Sequence, residues 1–192
     1  AGLDLLTSPA GAAAAPLIDD VDEAIVASVC WQDANGRAVD PGEQARLVDT
    51  LATRRYDAAV IFTSFSQSPW PAAYVCALAG IGLRVGASRE FGGSLLTHWA
   101  DDLPGGIHQV DRALLLLRHA GLPAAGGHPR LTVPTQARDR VGPLVEAGPY
   151  AVLLPGASCP SRRYDPERFA TVAGLLAGEG LRVLVAGTRG EA

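Results

Sequence analysis

The feature of this sequence that most restricts its fold is the alternation of short apolar runs with amphipathic segments of helical length. Short runs bounded by turn residues suit strands, and segments with apolar residues every three or four positions suit helices that cover a sheet. Strands that alternate with helices form parallel sheets. The sequence therefore predicts an α/β protein, with strands over Leu3–Thr7, Asp22–Ala27, Asp57–Thr63, Leu83–Gly86, Tyr150–Leu154 and Leu181–Ala186.

Capping residues and glycines mark the ends of the helices. Ser8-Pro9 predicts a helix that runs through the alanine-rich stretch to Leu17. Ser68-Pro69 predicts another, which Gly80 ends and whose buried side comprises Ala73, Tyr74, Ala77 and Leu78. The remaining predicted helices are Gly42–Arg54, His108–Ala120, Arg138–Ala147 and Asp165–Glu179. The continuous apolar run at Asp57–Thr63 indicates a central strand covered on both faces, and Ala87–Gly106 is predicted to be irregular.

These elements group into two α/β units, which we expect to be domains of residues 1–147 and 148–192. The second unit has one strand–helix–strand crossover, and a single helix covers only one face of a two-stranded sheet. The chain also contains no methionine and opens almost directly on a strand. We therefore expect a piece of a longer protein, with the first strand–helix unit of one domain and most of the other missing.

Composition narrows the class of protein. The net charge of −4 and the pI near 5.5 argue against a nucleic-acid partner, which would favour a basic chain. The three cysteines are far apart in sequence and form no CxxC motif, which favours a reducing cytoplasm. No apolar run is long enough to span a bilayer, and peripheral contact with the inner face of the cell membrane is left open.

The loop from Leu154 to Tyr164, LPGASCPSRRY, is the strongest candidate site because it follows the first strand of the second unit. Gly156 and Ala157 allow a ligand to approach the backbone closely, Ser158 offers a hydroxyl, and Arg162 offers a planar fork for phosphate oxygens. The alternative is a surface turn with solvated arginines. Glu191, in the turn after the next strand, could accept hydrogen bonds from a ribose diol, and the alternative there is a polar turn.

Thr63–Ser68, TSFSQS, follows a strand of the first unit, and its Ser64, Ser66 and Gln67 could bind a sugar or an anion. Helix capping is the alternative interpretation, and it already explains Ser68. Asp101-Asp102 lacks a third ligand nearby, and the histidines lack metal-ligand spacing, so we expect no metal site. The tryptophans suit packing better than sugar binding, although Trp70 lies close to the hydroxyl-rich loop.

The run Pro155–Ser158, Arg162–Tyr164 and Pro166–Ala170, with the later turn Gly187–Glu191, resembles glycosyltransferase family 9, the ADP-heptose:lipopolysaccharide heptosyltransferase family. The usual family pattern is PGAS, a lysine and tryptophan pair, a helix with Glu-x-Phe-Ala, and a glycine turn closed by glutamate. Here Arg162 stands in place of the lysine and Tyr164 in place of the tryptophan. Segments of the first unit, such as DAAVIFTSFSQSP, are similar to the family in the same order.

The resemblance implies a GT-B architecture, in which two Rossmann-like domains hold the acceptor and the nucleotide-sugar on either side of a cleft. It implies an inverting, metal-independent transfer without a cofactor. By position, Ser158 and Arg162 would contact the donor's phosphates, and Glu191 would contact its ribose. The family's general-base aspartate would lie before Ala1, and its donor loop with a histidine would lie after Ala192, so no catalytic residue is assigned.

The function implied is transfer of a heptose or related sugar from an ADP-heptose-like donor to a bacterial lipopolysaccharide core or related glycan or glycolipid. We expect these 192 residues alone to be an inactive fragment of that enzyme. Two alternatives stay open at this point. One is a non-catalytic nucleotide-binding α/β module, and the other is a different GT-B enzyme, such as a sugar-nucleotide epimerase.

Overall fold

The computed structural model describes residues 2–33, 36, 38–64, 67–127, 130–157 and 160–188. The chain divides into two compact units, residues 1–131 and residues 132–192. The domain boundary after residue 147 stays a prediction. The strands are β1 Asp4–Thr7, β2 Glu23–Val26, β3 Ala58–Ile61, β4 Leu83–Ala87, β5 His98–Ala100, β6 Tyr150–Leu153 and β7 Arg182–Val185. The α-helices are α1 Pro41–Arg54, α2 Trp70–Leu78, α3 Gln109–His119, α4 Thr135–Val145 and α5 Pro166–Gly178.

Every strand pairing in the described residues is parallel, as the alternating pattern predicted. The first unit has a two-stranded sheet, β1–β2, and a three-stranded sheet in the order β3–β4–β5. The prediction that the Asp57–Thr63 strand is central was wrong, because β3 lies at the edge of its described sheet and β4 lies in the middle. Val85 of β4 is completely buried and belongs to the apolar core packed against this sheet.

Two apolar clusters hold the first unit together. One joins β2, α1 and α2 through Ile25, Leu47, Leu51 and Val75. The other joins β4, β5 and α3 through Val85, Ala87, Ala100 and Leu116. Helix α1 begins as its sequence requires, because the Asp40 carboxylate accepts the Gly42 amide at 2.8 Å and proline occupies the first turn. Removing these side chains from water is the main stabilising contribution to the unit.

The second unit contains β6 and β7 with α5 between them. Asp165 caps α5 by accepting the amides of Glu167 and Arg168 at 2.8 and 3.3 Å, as predicted. None of its described residues is fully buried. Tyr150 and Val152, on one face of β6, stay 44 % and 48 % exposed. This confirms that one crossover helix covers only one face of the two-stranded sheet.

The helix predicted from Ser8 to Leu17 was wrong. Residues 9–14 form turns, and only Ala15–Leu17 is helical, as a single turn of 3₁₀ helix. The Ser8 carbonyl accepts the amides of both Gly11 and Ala12 at 3.0 Å, which closes a tight turn instead of starting an α-helix. Pro16 also has no amide to donate to Ala12, so a helix through it would lose a hydrogen bond.

The buried side predicted for α2 was also wrong in part. Ala73 is completely buried as expected, but Tyr74 and Leu78 are 54 % and 56 % exposed. Val75 and Cys76 are buried in their place. The reason is that α2 contacts α1 on one side and β3 and β4 on another, so two sides of the helix are covered. In the described part of the chain, no helix is long and apolar enough to cross a bilayer.

Candidate functional site

The loops that follow β6 and β7 begin side by side at one edge of the second unit's sheet. Leu153 and Val185, the last residues of the two strands, lie opposite each other in the parallel register. The Ala186 amide donates to the Leu153 carbonyl at 3.0 Å, which continues the pairing one residue further. Ligands of open α/β sheets bind beyond the carboxyl ends of the strands, so this edge is the candidate ligand site of the unit.

The loop after β6 carries an exposed arginine. Arg162 ends a 3₁₀ turn, Pro160–Arg162, and is exposed to solvent. Its neighbour Arg163 is engaged locally, because its Nε donates to the Ala157 carbonyl at 3.3 Å. The two arginines therefore differ: Arg163 is hydrogen-bonded within the loop, whereas Arg162 makes no such bond to the described residues. This difference could not be predicted from the sequence, since both arginines lie between a strand and a helix.

Tyr164 has a packing role in this structure. Its ring meets the Phe169 ring edge-on, with centroids 5.4 Å apart and an angle of 84°. The Arg168 guanidinium lies 5.8 Å from the centre of the Tyr164 ring, within the range of a cation–π contact. These contacts tie the end of the loop to the first turn of α5.

The structure describes only some of the other predicted site residues. Gly156 is exposed and Ala157 is half-buried in the loop after β6. Ser158, Glu191 and Ser66 lie outside the described residues. The roles given to all of these residues remain predictions. What the structure does establish is that the backbone segments preceding Ser158 and Glu191 leave the sheet side by side.

In the hydroxyl-rich loop after β3, the structure describes Ser64 and Gln67, which hydrogen-bond to each other. The Gln67 amide donates to the Ser64 carbonyl at 3.0 Å, and the Ser64 amide donates to the Gln67 Oε1 at 3.3 Å. The Ser68 hydroxyl accepts the Trp70 amide at 3.3 Å, but the N-cap of α2 is Pro69 and no side chain caps the helix, so the capping interpretation for Ser68 was wrong. Ser64 and Gln67 are both exposed to solvent.

A polar crevice, which the sequence did not reveal, lies just beyond the carboxyl ends of β1 and β2. It encloses about 320 Å³ and is lined by Ser8, Pro9, Ser28, Val29, Gln32 and Asp33. A larger, shallow groove runs along α1, between Arg46 and Arg54. Its threonine hydroxyls donate to carbonyls of their own helix, and both arginines face carboxylates. The crevice at the strand ends is therefore the better candidate for a ligand.

A charged network lies at the opposite, amino ends of β1 and β2. Arg54 donates two hydrogen bonds of 2.5 Å to the Glu23 carboxylate, and Tyr56 donates to Asp4. The hydrogen bonds from Arg54 lower the pKa of Glu23 below 4.5, and the same pair raises the pKa of Arg54. Burial, followed by the bond to Asp4, raises the pKa of Tyr56. The network joins α1 to the sheet and has a structural role.

The histidines that the structure describes have structural contacts. His108 caps α3 by accepting the Val110 amide at 3.3 Å, and the His119 ring lies 3.1 Å from the Trp99 carbonyl. Asp101 and Asp102 are exposed. Over the described ranges, no group of three or more histidine, cysteine, aspartate or glutamate residues is arranged to hold a metal ion.

Comparison with solved structures identifies the architecture. The chain superimposes on ADP-heptose lipopolysaccharide heptosyltransferase II of E. coli with a TM-score of 0.66 and 22 % identity, covering 98 % of this chain and 56 % of that one. A family 9 glycosyltransferase from Veillonella parvula gives 0.72 and 14 %, covering 98 % and 54 %. E. coli heptosyltransferase WaaC with ADP-2-deoxy-2-fluoro heptose gives 0.64 and 18 %, covering 99 % and 61 %.

These likenesses establish the fold: parallel α/β units of the GT-B type, matching little more than half the length of each solved structure. No curated protein matches the sequence. The sequence does match the profile described as glycosyltransferase family 9 (heptosyltransferase) over residues 44–191, a span that includes both loops of the candidate site. Because that match covers well over half of its residues, the chain belongs to glycosyltransferase family 9, the heptosyltransferase family.

Proposed function

We propose that this chain contributes the donor-phosphate loop and part of the acceptor side of an inverting, metal-independent glycosyltransferase. The donor would be a nucleotide-sugar such as ADP-heptose, and the acceptor would be a lipopolysaccharide core or a related glycan. The proposal depends chiefly on one observation: Leu153 and Val185 end side by side, so the PGAS loop and the glycine turn leave the same edge of the sheet. Membership of family 9 supports the reaction class.

The donor would lie across this edge. Backbone amides of Gly156 and Ala157, the Ser158 hydroxyl and the Arg162 guanidinium would bind the diphosphate. Glu191 would accept hydrogen bonds from the ribose. A planar guanidinium can donate two parallel hydrogen bonds to phosphate oxygens, which suits a group that must stabilise a departing diphosphate. The WaaC structures contain ADP and an ADP-sugar, which supports an adenine nucleotide here.

The chemistry would be a direct displacement at the anomeric carbon. An acceptor hydroxyl oxygen forms the new bond to that carbon while the bond to the diphosphate oxygen breaks, and the nucleoside diphosphate leaves. A general base takes the hydroxyl proton, and no residue of this chain is assigned that role. The charge that develops on the diphosphate is where Arg162 and the loop amides would act, because preorganised donors contribute most where charge appears in the transition state.

The acceptor would lie against the first unit. Ser64, Ser66 and Gln67 follow β3, and the crevice lined by Ser8, Ser28 and other residues follows β1 and β2. Hydroxyl and amide groups on loops after strands suit a ligand that carries many hydroxyls. A lipid-linked acceptor would bring the enzyme to the inner face of the membrane, where we expect it to act.

Titration calorimetry with ADP and with UDP tests the donor site. We expect ADP to bind and UDP to bind more weakly. Loss of a charge-assisted hydrogen bond costs about 1.5 kcal/mol at the lower end, so Arg162→Ala should weaken ADP roughly tenfold. Arg140→Ala is the matched control, because Arg140 is an exposed arginine of the same unit, on α4. If both variants bind ADP as the original chain does, Arg162 has no part in the site.

A further inference from the structure

Three aromatic rings form a continuous cluster in the first unit, made of Trp70, Phe91 and Trp99. The Trp99 ring lies 5.8 Å from the Trp70 ring at an angle of 67°, and 5.8 Å from the Phe91 ring at 58°. Both indoles are half-buried, whereas Phe91 is 81 % exposed, the most exposed of the large apolar residues in the described chain. The cluster therefore has a packed base and one ring presented to solvent.

The base of the cluster is fixed by contacts on two sides. The Trp99 indole Nε1 donates to the Ser88 carbonyl at 2.7 Å, which sets the orientation of that ring. Gly92 passes so close to Trp70 that a Cβ atom there would lie 2.2 Å from the indole. Isolated exposed apolar residues are common on protein surfaces. Phe91 differs because it packs at a tilted angle on an aromatic base that a hydrogen bond and a close backbone hold in place.

The cluster adjoins the loop proposed for the acceptor. The Trp70 amide donates to the Ser68 hydroxyl, one residue beyond Gln67, so the hydroxyl-rich turn leads directly into the aromatic base. The Gln109 side chain donates to the Thr63 carbonyl at 3.1 Å and steadies the start of the same turn. An aromatic face next to hydroxyl and amide groups matches the chemistry of a pyranose ring, which has an apolar C–H face and a rim of hydroxyls.

The charges around Phe91 argue against an anionic membrane as its partner. Arg89 and Glu90 precede Phe91 and carry opposite charges. The chain has a net charge of −4 and contains no lysine. Surfaces that bind anionic lipids carry clusters of basic residues, which this segment lacks. The adjacent polar loop and the near-zero local charge favour a neutral sugar face over a lipid headgroup.

We propose that Phe91, supported by Trp99 and Trp70, is a stacking platform for a sugar ring of the acceptor glycan. The inference rests on the proposed function, since it assigns the acceptor to the first unit. It adds the chemical class that this surface recognises, a pyranose ring with an unsubstituted C–H face, and it names Phe91 as the residue that contacts it.

Nuclear magnetic resonance of the tryptophan indole N–H groups tests the platform with simple probes. Methyl α-D-glucopyranoside and methyl α-D-mannopyranoside are titrated into the chain up to tens of millimolar. The chain contains three tryptophans, and we expect the Trp99 and Trp70 signals to shift. Trp31 packs against the separate cluster of Ile25 and Leu47 and lies between the crevice residues Val29 and Gln32, so its signal reports on sugar in the crevice and not on Phe91.

Two substitutions separate stacking from general apolar contact. Aromatic contacts add about 0.5–1.5 kcal/mol beyond area burial, so Phe91→Leu should weaken sugar binding roughly 2- to 10-fold. Phe91→Trp keeps an aromatic face and should bind at least as well as the original chain. Both variants should unfold at the original temperature, because Phe91 is largely exposed. Sugar binding by Phe91→Leu at the original affinity, or no shift of the Trp99 signal, would overturn the proposal.

Vesicles and ADP complete the experiment. Vesicles of phosphatidylcholine with phosphatidylglycerol should not bind the chain through Phe91. If the vesicles bind the original chain and the Phe91→Leu variant alike, and the sugars cause no shift, the surface is a membrane contact. That result would overturn the platform. ADP titrated into the same sample reports on the donor site separately. A chain that binds ADP but no sugar refutes only the platform, whereas failure to bind ADP counts against the proposed function itself.

Discussion

Gly92→Ala should destabilise the first unit, because the added methyl group would overlap the Trp70 indole. A Cβ atom at Gly92 would lie 2.2 Å from Trp70 Cδ2 and 2.3 Å from Cε2 and Cε3. Carbon atoms in contact lie about 3.5–4.0 Å apart, so the overlap exceeds about 1 Å. The indole has little room to move away, since the Trp99 ring meets it at 5.8 Å. Overpacking of this kind costs about 1–3 kcal/mol.

Urea unfolding, followed by tryptophan fluorescence, measures this cost as a lower midpoint at constant slope. Gly82→Ala is the matched control, because no atom lies within 4 Å of a Cβ at that position. It should be neutral, or stabilise by about 0.4–1 kcal/mol through the unfolded chain. In a Trp70→Ala background, Gly92→Ala should cost nothing, because the overlapping ring is gone. An equal penalty in both backgrounds, or none in either, would refute the steric argument.

Three further predictions follow from the first unit. Leu51→Ala, at a side chain only 4 % exposed, should cost about 2–5 kcal/mol in the free energy of unfolding, measured by urea titration. Arg54→Met should raise the pKa of Glu23 toward that of an ordinary glutamate in a carboxyl NMR titration. Because the folded pKa of Glu23 is the lower one, its ion pair stabilises above the unfolded pKa and is lost as the pH falls through the folded value. Burial raises the pKa of Cys76, so a thiol reagent should modify the half-buried Cys30 before Cys76, as peptide masses would show.

The parts of the fold that the sequence predicted correctly are those with local chemical signals. Helices α5 and α1 both have an aspartate N-cap followed by a proline at the first helical position. Helix α1 begins at Pro41, one residue before its predicted start. The parallel sheets followed from the alternation of strands and helices. These signals lie within a few residues of the element that they specify, so a single sequence contains them.

The parts that failed depend on contacts that are distant in sequence. Strand β5 has only three residues, and its place comes from pairing with β4 and from the Thr97 side chain, which accepts the Arg84 amide at 2.8 Å. The exposure of Tyr74 depends on which side of α2 meets α1. The alanine-rich stretch has high helix propensity, but Gly11 and Pro16 within it favour turns.

The candidate site was predictable in position but not in detail. The rule that ligands bind at the carboxyl ends of strands placed it after β6 and β7, and the register confirms that both loops start there. The sequence could not predict that Arg163, and not Arg162, hydrogen-bonds to Ala157, because this depends on the path of the loop. The aromatic cluster was missed for the same reason: Phe91 and Trp70 are 21 positions apart and meet through Trp99.

We propose that a nucleotide binds at the carboxyl edge of β6 and β7. Backbone amide shifts on addition of ADP to the chain test it most directly. We expect the largest shifts at Leu154, Gly156, Ala157 and residues 186–188, just after the two strands, and little change at Gly148 and Leu181 before them. Shifts concentrated at the amino ends of these strands, or confined to the first unit, would contradict the claim.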